Sequence, residues 1–211
     1  MNKLILIPVL IGIAVIVSAS LISENEESSE LQSQSIYDTG FTYYDIETIQ
    51  TTLAEQNIIV STPTAISDHT IGQYCTFFES GLPKTVDYCT TTAILDNKGN
   101  TLGNINIGGD TNSPIMAIAN LETSTLESNQ DEVLAVFETM IETLVCDCWE
   151  EEKSDDDLES ISVWIGAVHK FYYDSGERGI KSQVDDLGSS VITLEITPKD
   201  NSVLQTLIIL K

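Results

Sequence analysis

Residues 4–22, LILIPVLIGIAVIVSASLI, carry no charge, and that run divides the chain into two kinds of sequence. A stretch of this length can cross the hydrocarbon layer of a bilayer and exceeds the apolar part of most cleaved signal peptides. Lys3 on the short side and an acidic flank from Glu24 place the N-terminus inside and the remainder outside. Val17–Ala19 also offers a small-residue cleavage site. Two fates are therefore open. A signal-anchor through residues 4–22 gives a single-pass protein of the cell membrane with its C-terminal domain outside. Cleavage near Ala19 gives a secreted one.

The exported part is strongly acidic. The chain has 33 Asp and Glu against 9 Lys and Arg, a formal net charge of −24. A surface this negative repels the phosphate backbone, so nucleic acid is excluded as a partner. Anionic lipid headgroups are repelled for the same reason. The excess favours solubility, suits salty surroundings and attracts cations or basic partners.

Residues 23–35, SENEESSELQSQS, hold almost nothing to bury and read as a flexible polar tether. Residues 36–211 read as a single acidic extracytoplasmic α+β domain. YYDIETIQTTLAEQN puts Ile46, Ile49 and Leu53 on one helical face. IIV is a short strand. A hairpin is expected from Ile71 to Ile94, turning at SGLPK, then a turn at DNKGN and strands at TLGNINI and IMAIANLE. Asn129 with Glu132, or Ser128 with Asp131, resembles a capping box. It opens a helix whose stripe is Val133, Leu134, Phe137, Met140, Ile141, Leu144 and Val145. The next helix carries Leu158, Ile161, Trp164, Ile165, Val168 and Phe171. IKSQV, VITLEIT and VLQTLIIL close the chain as strands, and the apolar run from Leu207 suits a strand covered on both faces. The fold class is α+β: an antiparallel sheet of two meanders, packed by two central helices and one N-terminal helix, and preceded by the transmembrane or signal segment.

Four cysteines in an exported chain point to disulfides before metals. A hairpin folded about Leu82 sets Cys75 opposite Cys89, with Cβ atoms about 4.5–5.5 Å apart, which a bridge tolerates. That leaves Cys146 with Cys148. Two residues apart in a helix, they point to nearly opposite sides and pair only if the helix ends first. In an extended CDC both sulfurs face one way, so a double staple onto the two hairpin cysteines is the competing connectivity.

Closely spaced thiolates also suit Cu(I) or zinc. Cys-x-Cys is not zinc-knuckle spacing, however, and no His or Met lies beside it. Glu150, Glu151 and Glu152 lie near a helix C-terminus, where negative charge is disfavoured. Calcium would relieve them, and so would water and salt. The stretch lacks the Asp-x-Asp-x-Asp-Gly frame of a calcium loop. Ser154 before Asp155, Asp156 and Asp157 is an N-cap with acids in the first turn. A corner between two helices accounts for the stretch, so no cofactor is expected. Copper, zinc or calcium at Cys146, Cys148, Glu150, Glu151 and Glu152 is the alternative.

His69 and His169 head no ligand-spaced cluster, and no nucleophile elbow, His-Glu-x-x-His or phosphate loop occurs. No catalytic residue is assigned, and the sequence leans against an enzyme. The expected function is a membrane-anchored extracytoplasmic interaction or ligand-binding domain, stabilised by disulfides, whose partner is a protein or small molecule of unspecified kind. The alternative is a metal-handling or thiol-redox protein working through the Cys-x-Cys pair.

Overall fold

The computed structural model describes residues 40–67, 69–79, 81–149, 159–187 and 189–211. The apolar segment, the tether, the Ser154 cap and the Glu150–Glu152 run lie outside the described residues. Among the described residues no helix is long and apolar enough to cross a membrane.

The architecture is α+β, a mostly antiparallel sheet with a few helices. Helix α1 (Asp45–Glu55) buries Ile46, Ile49 and Leu53, the spacing that one helical face requires. Two-residue strands β1 (Ile59–Val60) and β2 (Thr64–Ala65) pair onto β5 (Tyr88–Leu95). Strands β5, β6 (Thr101–Gly109) and β7 (Pro114–Thr123) form the first meander. Helices α3 (Gln130–Leu144) and α4 (Ile161–Asp174) follow. Strands β8 (Ile180–Leu187), β9 (Ser190–Pro198) and β10 (Val203–Leu210) form the second meander.

The two meanders are one sheet. Its order is β1-β5-β6-β7-β10-β9-β8, so the last strand is inserted beside β7 rather than left at an edge. Leu207 and Ile209 are fully buried against the helices, whereas Ile208 and Leu210 are partly covered on the other face. The main core lies between sheet and helices. Phe137, Met140 and Trp164 meet Leu121, Leu194, Ile196 and Leu207 in one cluster. The period of two along the strands and of about 3.6 along the helices brings these apolar sets face to face.

Three local expectations are corrected. First, Ile71–Tyr74 is a helical turn, α2, rather than a strand. Strands β3 (Thr76–Glu79) and β4 (Leu82–Thr85) pair only with each other, while β5 pairs with β6. Leu82 is thus a strand residue opposite Glu79, because the tight turn falls at Gly81, whose φ of +79° suits glycine. Second, no side-chain capping bond forms at Asn129, which has a left-handed φ of +55°; Ser128 bonds Ser124 and Thr125 instead. Third, α4 begins at Ile161 behind Ser160, whose Oγ accepts the Val163 amide at 3.2 Å, and Phe171 is 62% exposed. The predicted apolar stripe ran one position too far onto the solvent side.

The DNKGN turn closes on its own first residue. Asp96 Oδ1 accepts the amides of Lys98 and Asn100 at 2.8 Å each, and Gly99 takes φ +82°. The carboxylate is occupied by the backbone it organises.

Candidate binding face

One face of the sheet carries the helices, and the other carries the unexpected feature. Residues of β6, β7, β10, β9 and β8 that point away from the helices fall into register across the strands. Asn104 lies opposite Asn120, Asn120 opposite Thr206, Thr206 opposite Glu195, and Glu195 opposite Lys181. In the adjacent row Asn106, Ile118, Ile208, Thr193 and Gln183 are aligned in the same way. Side chains within these rows bond one another. Asn120 Nδ2 and Asn106 Nδ2 both donate to Asn104 Oδ1 at 3.3 Å, and Thr206 Oγ1 donates to Asn120 Oδ1 at 3.1 Å. Lys181 and Glu195 form an ion pair at 3.1 Å. Asn106 is fully buried, and among the described residues its Oδ1 has no hydrogen-bond partner.

Above one end of this face sits the β3–β4 hairpin. Cys75, Phe77, Val86, Cys89, Met116 and Ile118 make a second apolar cluster between hairpin and sheet. Between the hairpin and the open strands runs a cleft of about 460 Å³, with Tyr74 and Phe78 on one wall and Asn120, Thr193 and Thr206 on the other. A second recess, of about 500 Å³, continues past Tyr74 toward Gly103, Asn104 and Glu122. Tyr74 is 40% exposed and Phe78 68%, so two aromatic rings overhang a polar floor. Gly103 keeps that floor tight, since a Cβ there would run into the Asn120 carbonyl oxygen.

The charge of the face departs from the charge of the chain. Among the described residues, the two recesses are lined by Lys181, Lys199 and Lys211, and by Glu122 and Glu195 as the acids. The whole chain has 33 acids and 9 bases. Both glutamates are engaged, Glu195 by Lys181 and Glu122 by Lys199 and Ser202. The Lys199 ammonium beside it holds the Glu122 carboxyl below the ordinary range. A near-neutral polar cleft thus lies within a surface of strongly negative character.

The residues singled out in the sequence lie elsewhere. Cys75 is bonded to Cys89 and Cys146 to Cys148. The first bridge is not a cross-strand pair of a hairpin. Cys75 caps α2 and Cys89 lies on β5 opposite Gly108, so the bond ties the hairpin unit to the main sheet. The second forms because α3 ends at Leu144, which frees the CDC segment from helical geometry. With all four sulfurs in these two pairs, the double staple is not the connectivity. Among the described residues no group of three or more His, Cys, Asp or Glu side chains is gathered as a metal site. No family model matches the sequence, and no curated protein or solved structure matches it significantly.

His69 is exposed, whereas His169 is buried beneath the sheet, with Nε2 2.8 Å from Gln205 Oε1. With the amide oxygen accepting, the ring carries its hydrogen on Nε2. Burial pushes the His169 pKa below its ordinary value, against the smaller upward pull of Gln205 and Glu127. The unfolded chain then binds a proton near pH 6.5 that the folded chain refuses, so stability is lost as pH falls through that value toward the lower folded pKa. Glu138 and Glu142, raised mainly by burial, act in the opposite sense. The expected result concerns the difference between wild type and His169→Gln. Urea midpoints measured from pH 7.5 to 5.5 should decline more steeply for wild type, and parallel curves would contradict the assignment.

The polar rows carried a signal that sequence reasoning passed over. In NINI and AIANLE, asparagine alternates with or interrupts apolar residues, which on a strand means one polar face. The alternation shows that such a face exists. That five strands align their polar residues is visible only in the register.

Proposed function

We propose that this protein is a membrane-anchored extracytoplasmic binding module that holds a neutral, hydroxyl-rich chain, a glycan, on the open face of its sheet. The observation that carries this reading is the cross-strand row Asn104–Asn120–Thr206 under Tyr74, set in recesses lined by three lysines and two glutamates. Side-chain amides and hydroxyls present donors and acceptors together, as alternating sugar hydroxyls require. An apolar ligand would leave these groups unpaired, at a cost of about 1–3 kcal/mol each. A cation would find both carboxylates already paired, and an anion would find Lys181 and Lys199 held by Glu195 and Glu122 and Lys211 donating to the Phe41 carbonyl. Exposed aromatic rings beside a polar floor supply the apolar contact that sugar faces take. Two cysteine pairs support the extracytoplasmic placement, since such bonds persist in oxidising surroundings.

The test is binding of the full-length chain to a panel of neutral, acidic and basic polysaccharides, repeated with Asn120→Leu/Thr206→Val and with Tyr74→Ala. Loss of two hydrogen bonds worth about 1 kcal/mol each predicts roughly 10–50-fold weaker binding to a neutral polysaccharide. Equal binding by wild type and both variants, or preference for a charged polysaccharide, would sink the proposal.

A further inference from the structure

The two disulfides do different jobs. Cys75 and Cys89 are fully buried, lie fourteen residues apart and fasten the hairpin unit to the sheet. Cys146 and Cys148 are two residues apart, only partly buried, and follow the last residue of α3. A bridge across a single residue closes a much shorter loop, so it removes only about half as much freedom from the unfolded chain. The corner is also held by Trp149, which is buried there and packs on Trp164 at 5.6 Å between ring centres. Cys146 is reachable as well. Cys146 lines a recess of about 290 Å³ together with Glu138, Glu142, Asp147 and Trp149.

We infer that Cys146–Cys148 is a thiol–disulfide exchange site that accepts electrons from a protein dithiol flanked by basic residues. The chemistry balances within the two partners. A thiolate of the incoming dithiol attacks Cys146 Sγ, the Cys146–Cys148 bond breaks, and the electron pair leaves on Cys148, which takes up a proton. The partner's second thiolate then attacks its own sulfur in the mixed disulfide and releases Cys146, which is protonated in turn. The partner leaves oxidised to a disulfide, and Cys146 and Cys148 have gained two electrons and two protons. Return to the disulfide requires a second partner carrying a more oxidising disulfide.

The surroundings support the choice of partner. Glu138 and Glu142 are pushed up mainly by burial, with Glu142 repelling the first and Asp147 the second. The same three carboxylates favour a cationic partner and repel an acidic one. Less of the fold's stability is tied to this bond than to Cys75–Cys89, so its opening costs the folded chain less.

The full-length chain is equilibrated in graded mixtures of reduced and oxidised dithiothreitol, and each cysteine is scored by alkylation and mass mapping. Near-ultraviolet circular dichroism follows the fold in parallel. Cys146–Cys148 should open at a reduced-to-oxidised ratio at least about tenfold lower than Cys75–Cys89 does, with the fold retained. In a second measurement a dithiol peptide flanked by lysines should reduce the bridge at least about tenfold faster than the same peptide flanked by glutamates. Joint opening of both bridges in one unfolding transition would overturn the inference. So would equal rates with the two peptides.

Discussion

Trp164→Ala is expected to destabilise the fold by about 3–5 kcal/mol, the usual range for a fully buried large aromatic. Trp164 is 2% exposed, at the centre of the contact between α4 and the second meander. Its indole Nε1 donates to Ser182 Oγ on β8 at 3.0 Å, and its ring packs on Trp149. Truncation therefore opens a cavity, leaves the serine hydroxyl without its donor and removes the surface that seats the α3–α4 corner. For a chain of this size the melting temperature should fall by roughly 6–20 °C. Trp164→Phe keeps most of the packing and loses the hydrogen bond, so its cost should be a fraction of that. Equilibrium denaturation in urea separates the two. A loss below about 1 kcal/mol for the alanine variant would mean that α4 does not depend on this side chain.

The second large effect belongs to Cys75 and Cys89. Replacing both with alanine should cost about 3 kcal/mol in the chain-entropy model, and the buried sulfurs contribute packing besides. The matching change at Cys146 and Cys148 should cost about half as much, because its loop spans one residue. The first loss is also local. Strands β3 and β4 pair only with each other, and a two-stranded hairpin is marginal alone. Without the bridge, the hairpin is held to the sheet by the small cluster of Phe77, Val86, Met116 and Ile118 and the partly buried Ile66, Ile71, Ile208 and Leu210 packed against it. Amide exchange over residues 76–85 should accelerate more than elsewhere, and affinity in the cleft should fall with it, since Tyr74 and Phe78 form one wall. Uniform acceleration across the sheet would show that the bridge stabilises the whole fold rather than the hairpin.

The elements themselves were legible. Ile46, Ile49 and Leu53 announce α1, the stripe from Val133 to Leu144 announces α3, and the DNKGN turn is drawn by Asp96 and Gly99. These depend on residues a few positions apart, where local geometry decides. The Ile71–Ile94 region misled because a run of strand-forming residues is silent on its partner. TFFE pairs with LPKT in a separate small sheet, and the choice between that and β6 is made by packing. The cysteines show the same division. That they would pair among themselves follows from their number and surroundings, yet the strand that carries Cys89 and the unit it fastens do not.

The antiparallel α+β class, the position of α1 and α3 along the chain and the acidic balance follow from the sequence, because periodicity and charge are properties of neighbours in the chain. The tertiary structure alone decided that β10 enters beside β7 and that Asn104, Asn120, Thr206, Glu195 and Lys181 stand in one row. A single-residue slip between β7 and β10 would turn Thr206 to the helices and Leu207 to the cleft. Burial of Leu207 and Ile209 forbids that slip, so the core fixes the register and the register assembles the polar face.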